Sequence, residues 1–143
     1  MSWLERLLTA AEPGVYVAPP EPDRYAVADE VSARGWRCLA DDLSEATDKA
    51  SLLATLARAA DAPDSFGHNW DALVDVLRDL SWTPAEGYVL LLEGCGTPSR
   101  NCPGDWAVAV DILAETVTWW TEHGTPMRVV LRDQDRRSGY RAI

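Results

Sequence analysis

Apolar residues along this chain recur with two periods, and segments of the two kinds alternate. Residues 2–11 place Trp3, Leu4, Leu7 and Leu8 on one side of a short amphipathic helix. Pro13-Gly14 stops that helix, and Val15-Tyr16-Val17 is a short strand. Pro19-Pro20-Glu21-Pro22 is a stiff connector, because each proline fixes φ and removes a donor. Residues 24–34 read as a helix that closes at Gly35, where a C-terminal cap favours a residue tolerant of positive φ. Gly35 to Ala40 then reads as a strand.

Thr47 or Asp48 caps the next helix, over 48–60, whose apolar stripe is Leu52, Leu53, Leu56 and Ala60. A turn from Pro63 to Asn69 leads into a helix over 69–81, with Trp70, Leu73, Val74, Leu77 and Leu80 on one face. Tyr88 to Leu92 is a continuous apolar run between Gly87 and Gly94, as expected of a strand buried on both sides. A loop over 94–104, rich in Gly and Pro, precedes a long helix over 105–123 carrying Trp106, Val110, Leu113, Val117 and Trp120. Gly124 ends it, and Met127 to Leu131 is the last strand, followed by an arginine-rich tail that is expected to fray. Helices alternate with short strands and no tight hairpin signal joins any strand pair. That order predicts an α/β layer with a small, mostly parallel sheet and right-handed crossovers.

Composition narrows the function. A chain of 143 residues makes one ordinary domain, and its 47% hydrophobic and 25% charged residues are those of a folded protein. The net charge of −10 repels phosphate backbones and anionic lipid heads and attracts basic proteins, so direct nucleic-acid binding is not expected. Cys38, Cys95 and Cys102 contain no CxxC pair, and reduced thiols are expected, although Cys95 and Cys102 flank a loop that a disulfide could close. The N-terminus has no signal-peptide pattern and no apolar stretch is long enough to span a membrane, which leaves a cytoplasmic protein as the expectation. No metalloprotease motif, paired Cys/His set, phosphate loop or nucleophile elbow is present, so neither a metal nor a cofactor is expected.

The chemistry gathers between Pro63 and Leu80. Asp71, Asp75 and Asp79 stand at i, i+4 and i+8, on a helix face turned away from Trp70, Leu73, Val74 and Leu77. Like charges at that spacing repel, and between Asp61 and Trp82 five acids face a single base, Arg78. Asp71 lies in the first turn, where the helix dipole favours an anion, but Asp75 and Asp79 have no such support. A merely solvated helix can also look like this. The neighbouring pattern decides otherwise.

Phe66-Gly67-x-Asn69-Trp70-Asp71-Ala72-Leu73-x-Asp75 resembles the signature of the barstar family, inhibitors of barnase-type ribonucleases. The likeness extends more loosely from about Gly35 to Asp133. It implies a barstar-like α/β domain at 35–133, with a small parallel three-stranded sheet flanked by helices. Residues 1–34 would then be an N-terminal extension packed on it, and 134–143 a tail. The resemblance implies that the loop and helix occlude a nuclease's active site. Gly67 would let the backbone approach the partner closely, and Asn69 would cap the helix or bond the partner through its amide. Asp71 and Asp75 would pair with cations that normally hold the scissile phosphate. Phe66, His68, Trp70, Val74 and Asp79 complete that surface. The pattern departs from the family's in having one aromatic after Ser65, Val74 between the aspartates, and Trp119 where a late acid is expected. Glu115, one turn earlier, or Glu122 would substitute for that acid.

The implied partner is a basic extracellular ribonuclease, bound 1:1 by a chain that is monomeric when free. The implied role is that of an immunity protein or antitoxin, not an enzyme. A second basic toxin, such as a deoxyribonuclease, would suit the same surface. An acidic phosphoester hydrolase using His68, Asp71 and Asp75 is the alternative from another class, although two carboxylates make a poor cage for a divalent ion. Of the tryptophans, Trp36, Trp70, Trp106 and Trp120 fall on apolar stripes and are expected in the core. Trp119 lies off its helix's stripe and either touches a partner or packs on the N-terminal extension.

Overall fold

The computed structural model describes residues 2–64, 66–134 and 140–143. In chain order the elements are α1 (Trp3–Thr9), β1 (Gly14–Val17), α2 (Arg24–Ser32), β2 (Arg37–Asp42), α3 (Lys49–Ala59) and α4 (Trp70–Asp79). They continue as β3 (Tyr88–Glu93), α5 (Gly96–Asn101), α6 (Pro103–Glu122), β4 (Met127–Leu131) and β5 (Arg141–Ala142). The strands form one parallel sheet in the order β2-β3-β4-β1-β5.

The unbroken apolar run of β3 has a direct cause: both faces of the sheet are covered. Tyr88, Leu90 and Leu92 point into a core shared with α3, α4 and α6, together with Met127, Val129 and Leu131 of β4. The intervening Val89 and Leu91, with Val130 and Tyr16, point the other way, onto Trp3, Leu4, Leu7 and Leu8 of α1 and Val27 and Val31 of α2. The amino-terminal segment therefore supplies the second layer of helices. It also widens the sheet, since β1 pairs along β4 from Gly14↔Arg128 to Val17↔Leu131. The three strands expected of the 35–133 domain are β2, β3 and β4, and β1 of the amino-terminal extension and β5 of the tail continue the ladder past β4.

Arg132, just past β4, ties that layer down. It is almost wholly buried. One guanidinium nitrogen donates to the Pro22 carbonyl, another lies 3.6 Å from the Glu93 carboxylate, and the group sits 5.6 Å from the centre of the Trp3 ring. Burial combined with a partner for the charge is what such a position requires.

Several expectations change. The 94–104 segment is not all loop, because α5 forms a short helix there, with Pro98 early in it where a missing N–H costs nothing. The long helix starts at Pro103 rather than 105 for the same reason. The expected fraying of the tail fails at both described ends. Gln134 is buried and accepts a 3.0 Å bond from the Trp106 indole, and Arg141–Ala142 pairs with β1. Residues 135–139 of that tail, and Ser65, lie outside the described residues. Asp48, not Thr47, caps α3, in a reciprocal box with Ser51. Among the tryptophans expected inside, only Trp106 is fully buried, and Trp36, Trp70 and Trp120 sit half-buried at the core's margin.

The three cysteines are free. Burial pushes the Cys38 thiol up to about 11 and raises those of Cys95 and Cys102 as well, so all three stay protonated at neutral pH and react slowly.

Candidate functional site

The turn before α4 is built by local bonds. The Phe66 N–H donates to the Pro63 carbonyl at 3.0 Å, and the Phe66 ring is buried against the core. Its edge meets the His68 ring, 5.1 Å between centroids. His68 takes the left-handed conformation (φ 52°) and turns the chain outward. Gly67 does not need a positive φ. A Cβ there would press on the Ala72 Cβ at 3.3 Å, so its bareness lets the exposed loop lie close to the first turn of α4.

Asn69 is the helix cap. Its side-chain oxygen accepts from the Ala72 N–H at 2.8 Å, and its amide donates to the Gly67 carbonyl at 3.2 Å. The side chain therefore caps α4, with one of its two amide N–H groups left without a partner among the described residues.

The buried stripe of α4 is Leu73, Val76 and Leu77, continued by Leu80. This corrects the expected face: Val76 takes the inner position, and Val74 and Trp70 are only half-buried. Val74 and Val76 stand at opposite edges of the broad apolar arc of α4, and packing against α3 and α6 covers the Val76 edge. The Trp70 ring lies under the Lys49 ammonium of α3, 5.8 Å from nitrogen to centroid. Asp71, Asp75 and Asp79 are all exposed on the opposite side. Asp79 accepts a 3.3 Å bond from the Ser81 N–H. Asp71 and Asp75 have no hydrogen bond or ion pair with any described residue, so two unpaired carboxylates stand one helical turn apart on a rigidly held surface.

The carboxyl-terminal half of α6 lies beside this face. Glu115, Thr118, Trp119 and Glu122 line a shallow hollow with Arg78 of α4. Trp119 packs neither in the core nor on α1 or α2. Its ring stacks on His123 at 3.8 Å and meets Trp120 edge-on at 5.0 Å. Glu115 and Glu122 are exposed, so both remain open as the late acid. Arg78 was expected to offset the neighbouring acids, yet it forms no ion pair among the described residues, and its Nε is buried without an acceptor. Nothing in the spacing of charges showed this hollow, because it needs α6 to lie against α4.

On the other side of the loop, a groove runs past Phe66 and His68 between Asp64, Pro63, Asp61 and Arg58. There the Arg58 Nε donates to Asp41 at 2.6 Å. Burial works against the charge of Asp41, but that bond and one from the Asp42 N–H outweigh it and hold its carboxyl below the usual carboxylate range.

His68, Asp71 and Asp75 do not converge, since the His68 ring is engaged with Phe66 and no hydrogen bond joins it to either aspartate. Among the described residues no group of three or more His, Cys, Asp or Glu side chains is arranged to hold a metal ion. Among the described residues no helix is long and apolar enough to cross a membrane.

The family model for barstar, described as the barnase inhibitor, matches residues 36–132, more than half of the chain. The chain belongs to the barstar family. The match runs from the start of β2 to Arg132, and so includes the acidic face of α4, its preceding loop and the α6 hollow. The barstar match leaves out α1, β1, α2 and β5, the elements that cover the second face of the sheet and its far edge. No curated protein matches the chain.

Proposed function

We propose that this chain inhibits a basic, barnase-type ribonuclease by seating α4 and the loop Phe66–Asn69 in the enzyme's active-site cleft. One observation carries the reading. In a family of barnase inhibitors, Asp71 and Asp75 stand exposed and without a partner among the described residues, on a helix whose position is fixed by its cap and its core face. A carboxylate with no internal partner is free to bond a cation brought to it, and charge-assisted bonds gain strength once water is excluded.

In the complex, Asp71 and Asp75 take the place of RNA phosphates against the enzyme's cations. Gly67 and His68 present the bare outer edge of the loop, Val74 and Trp70 flank the acids, and Asp79 lies at the rim. Trp119, with Glu115 or Glu122, contacts the enzyme from α6. Inhibition is steric and electrostatic and forms no covalent bond. The complex is 1:1, and the chain works in the cytoplasm as an immunity protein or antitoxin.

Calorimetric titration with a barnase-type guanyl ribonuclease tests this. A stoichiometry of one with binding in the nanomolar range or tighter is expected. Failure to bind that enzyme, with tight binding to a basic deoxyribonuclease instead, would transfer the same surface to a different toxin.

A further inference from the structure

Arg78 is the single cation of α4, and it does not serve the purpose its sequence position suggests. It lies seven residues after Asp71 and three after Asp75, on the same strip of helix surface. Glu115 and Glu122 line the hollow it occupies, yet no ion pair or hydrogen bond joins it to either, or to Asp75, and its Nε is buried with no acceptor. A guanidinium on an acidic face weakens attraction to a basic partner. The terminal nitrogens of the guanidinium, unlike its Nε, are open to solvent in the hollow and have no partner among the described residues. That cost is explained if they receive an acceptor from the partner.

We infer that Arg78 is a specificity residue that receives a carboxylate of the toxin, an Asp or Glu beside the toxin's cationic cleft. The planar guanidinium fork suits a carboxylate, which it can hold through two parallel N–H bonds. Seen along the surface, Asp71 and Asp75 are negative, Arg78 positive, and Glu115 and Glu122 negative again. The partner that fits carries the complementary order, with an acid set between two basic patches. A toxin with a uniformly basic rim is disfavoured, because Arg78 would face a like charge in a desolvated contact. Trp119 forms the apolar wall of the hollow and would exclude water from the pair. This inference rests on the inhibitor reading above.

The test has a sign that steering alone cannot produce. Removing Arg78 makes the face more acidic, so if Arg78 bonded nothing, affinity for a basic nuclease would stay the same or rise. Binding of a barnase-type guanyl ribonuclease is measured by stopped-flow and dissociation kinetics for wild type, Arg78→Gln and Arg78→Lys, with thermal melts confirming the fold of each. The Gln variant is expected to bind about tenfold more weakly through faster dissociation, with an unchanged or faster on-rate, as for a lost charge-assisted bond. The Lys variant, which keeps the charge and loses the fork, is expected to recover only part of the loss. Unchanged or tighter binding by Arg78→Gln overturns the inference and leaves the inhibitor reading standing. If wild type itself does not bind, the inhibitor reading fails for this enzyme, and the inference falls with it.

Discussion

The indole Nε1 of Trp120 donates a 2.8 Å hydrogen bond to the main-chain carbonyl of Leu77. Leu77 lies in the last turn of α4, where the final carbonyls have no partner within the helix. A glycine in left-handed conformation commonly closes such an end. Here Leu80 takes that conformation (φ 52°) and keeps its side chain buried, while α6 supplies the donor. One bond thus finishes the acidic helix and fixes it against the helix that carries Glu115, Trp119 and Glu122.

Trp120→Phe keeps most of the ring and removes the donor. It is expected to destabilise the fold by about 1–2 kcal/mol, the range for leaving a half-buried carbonyl unsatisfied. Urea unfolding should show a lower midpoint with an unchanged slope. A variant as stable as wild type would show that the bond does not hold the α4–α6 contact.

Stability and binding should separate at the two aspartates. Asp75→Ala relieves repulsion from Asp71 and Asp79 and is expected to leave stability within about 0.5 kcal/mol of wild type. Asp71→Ala forfeits a favourable charge in the first turn and should cost about 0.3–1 kcal/mol. Either change is expected to weaken nuclease binding by about 3–5 kcal/mol, because it leaves a buried cation of the enzyme without its counter-charge. Parallel melts and binding isotherms check this, and a binding loss under about 0.5 kcal/mol would place the residue outside the contact.

Association should depend on salt. With a net charge of −10 and an unpaired acidic face, the chain attracts a basic enzyme over distances that added salt shortens. The on-rate is expected to fall steadily between 50 mM and 1 M NaCl, roughly a four- to fivefold contraction of the screening length, while the off-rate changes less. A flat on-rate contradicts electrostatic steering.

Acid should loosen the groove beside the motif loop. The folded-state Asp41 carboxyl is held below its ordinary value despite burial, by the Arg58 guanidinium and the Asp42 N–H. Its contribution to stability is therefore present above the unfolded carboxylate range, near pH 4, and is lost as pH falls through the lower folded value. Arg58 is largely exposed, so solvent screening keeps that contribution below about 1 kcal/mol. In Asp41→Asn, the pH dependence of stability below about pH 4 should be shallower than in wild type. Identical slopes would show that the pair contributes nothing to folding.

The order of helices and strands was legible because periodicity reports burial, and the continuous run Tyr88–Leu92 is what a strand covered on both faces requires. The acidic face was legible for a similar reason: a spacing of four residues keeps Asp71 and Asp75 on one side of any helix. The inner position of Val76 in place of Val74 was not, because the two stand at opposite edges of a broad apolar arc and the neighbouring helices decide which edge is covered. A two-residue strand such as β5 has no period to read. The Gly and Pro of the 94–104 segment argued for a loop, yet they stand at helix starts, where neither is costly. The unpaired state of Arg78 depends on where α6 places Glu115 and Glu122, and no local spacing encodes that.

The most direct test of the central claim is the residual activity of a barnase-type guanyl ribonuclease titrated with wild type and with the Asp71→Ala/Asp75→Ala variant. The account predicts that wild type abolishes RNA cleavage at one equivalent, and that the double variant, folded as judged by its melt, leaves the enzyme active at the same ratio. Full activity in the presence of excess wild type, or equal inhibition by both proteins, would contradict it.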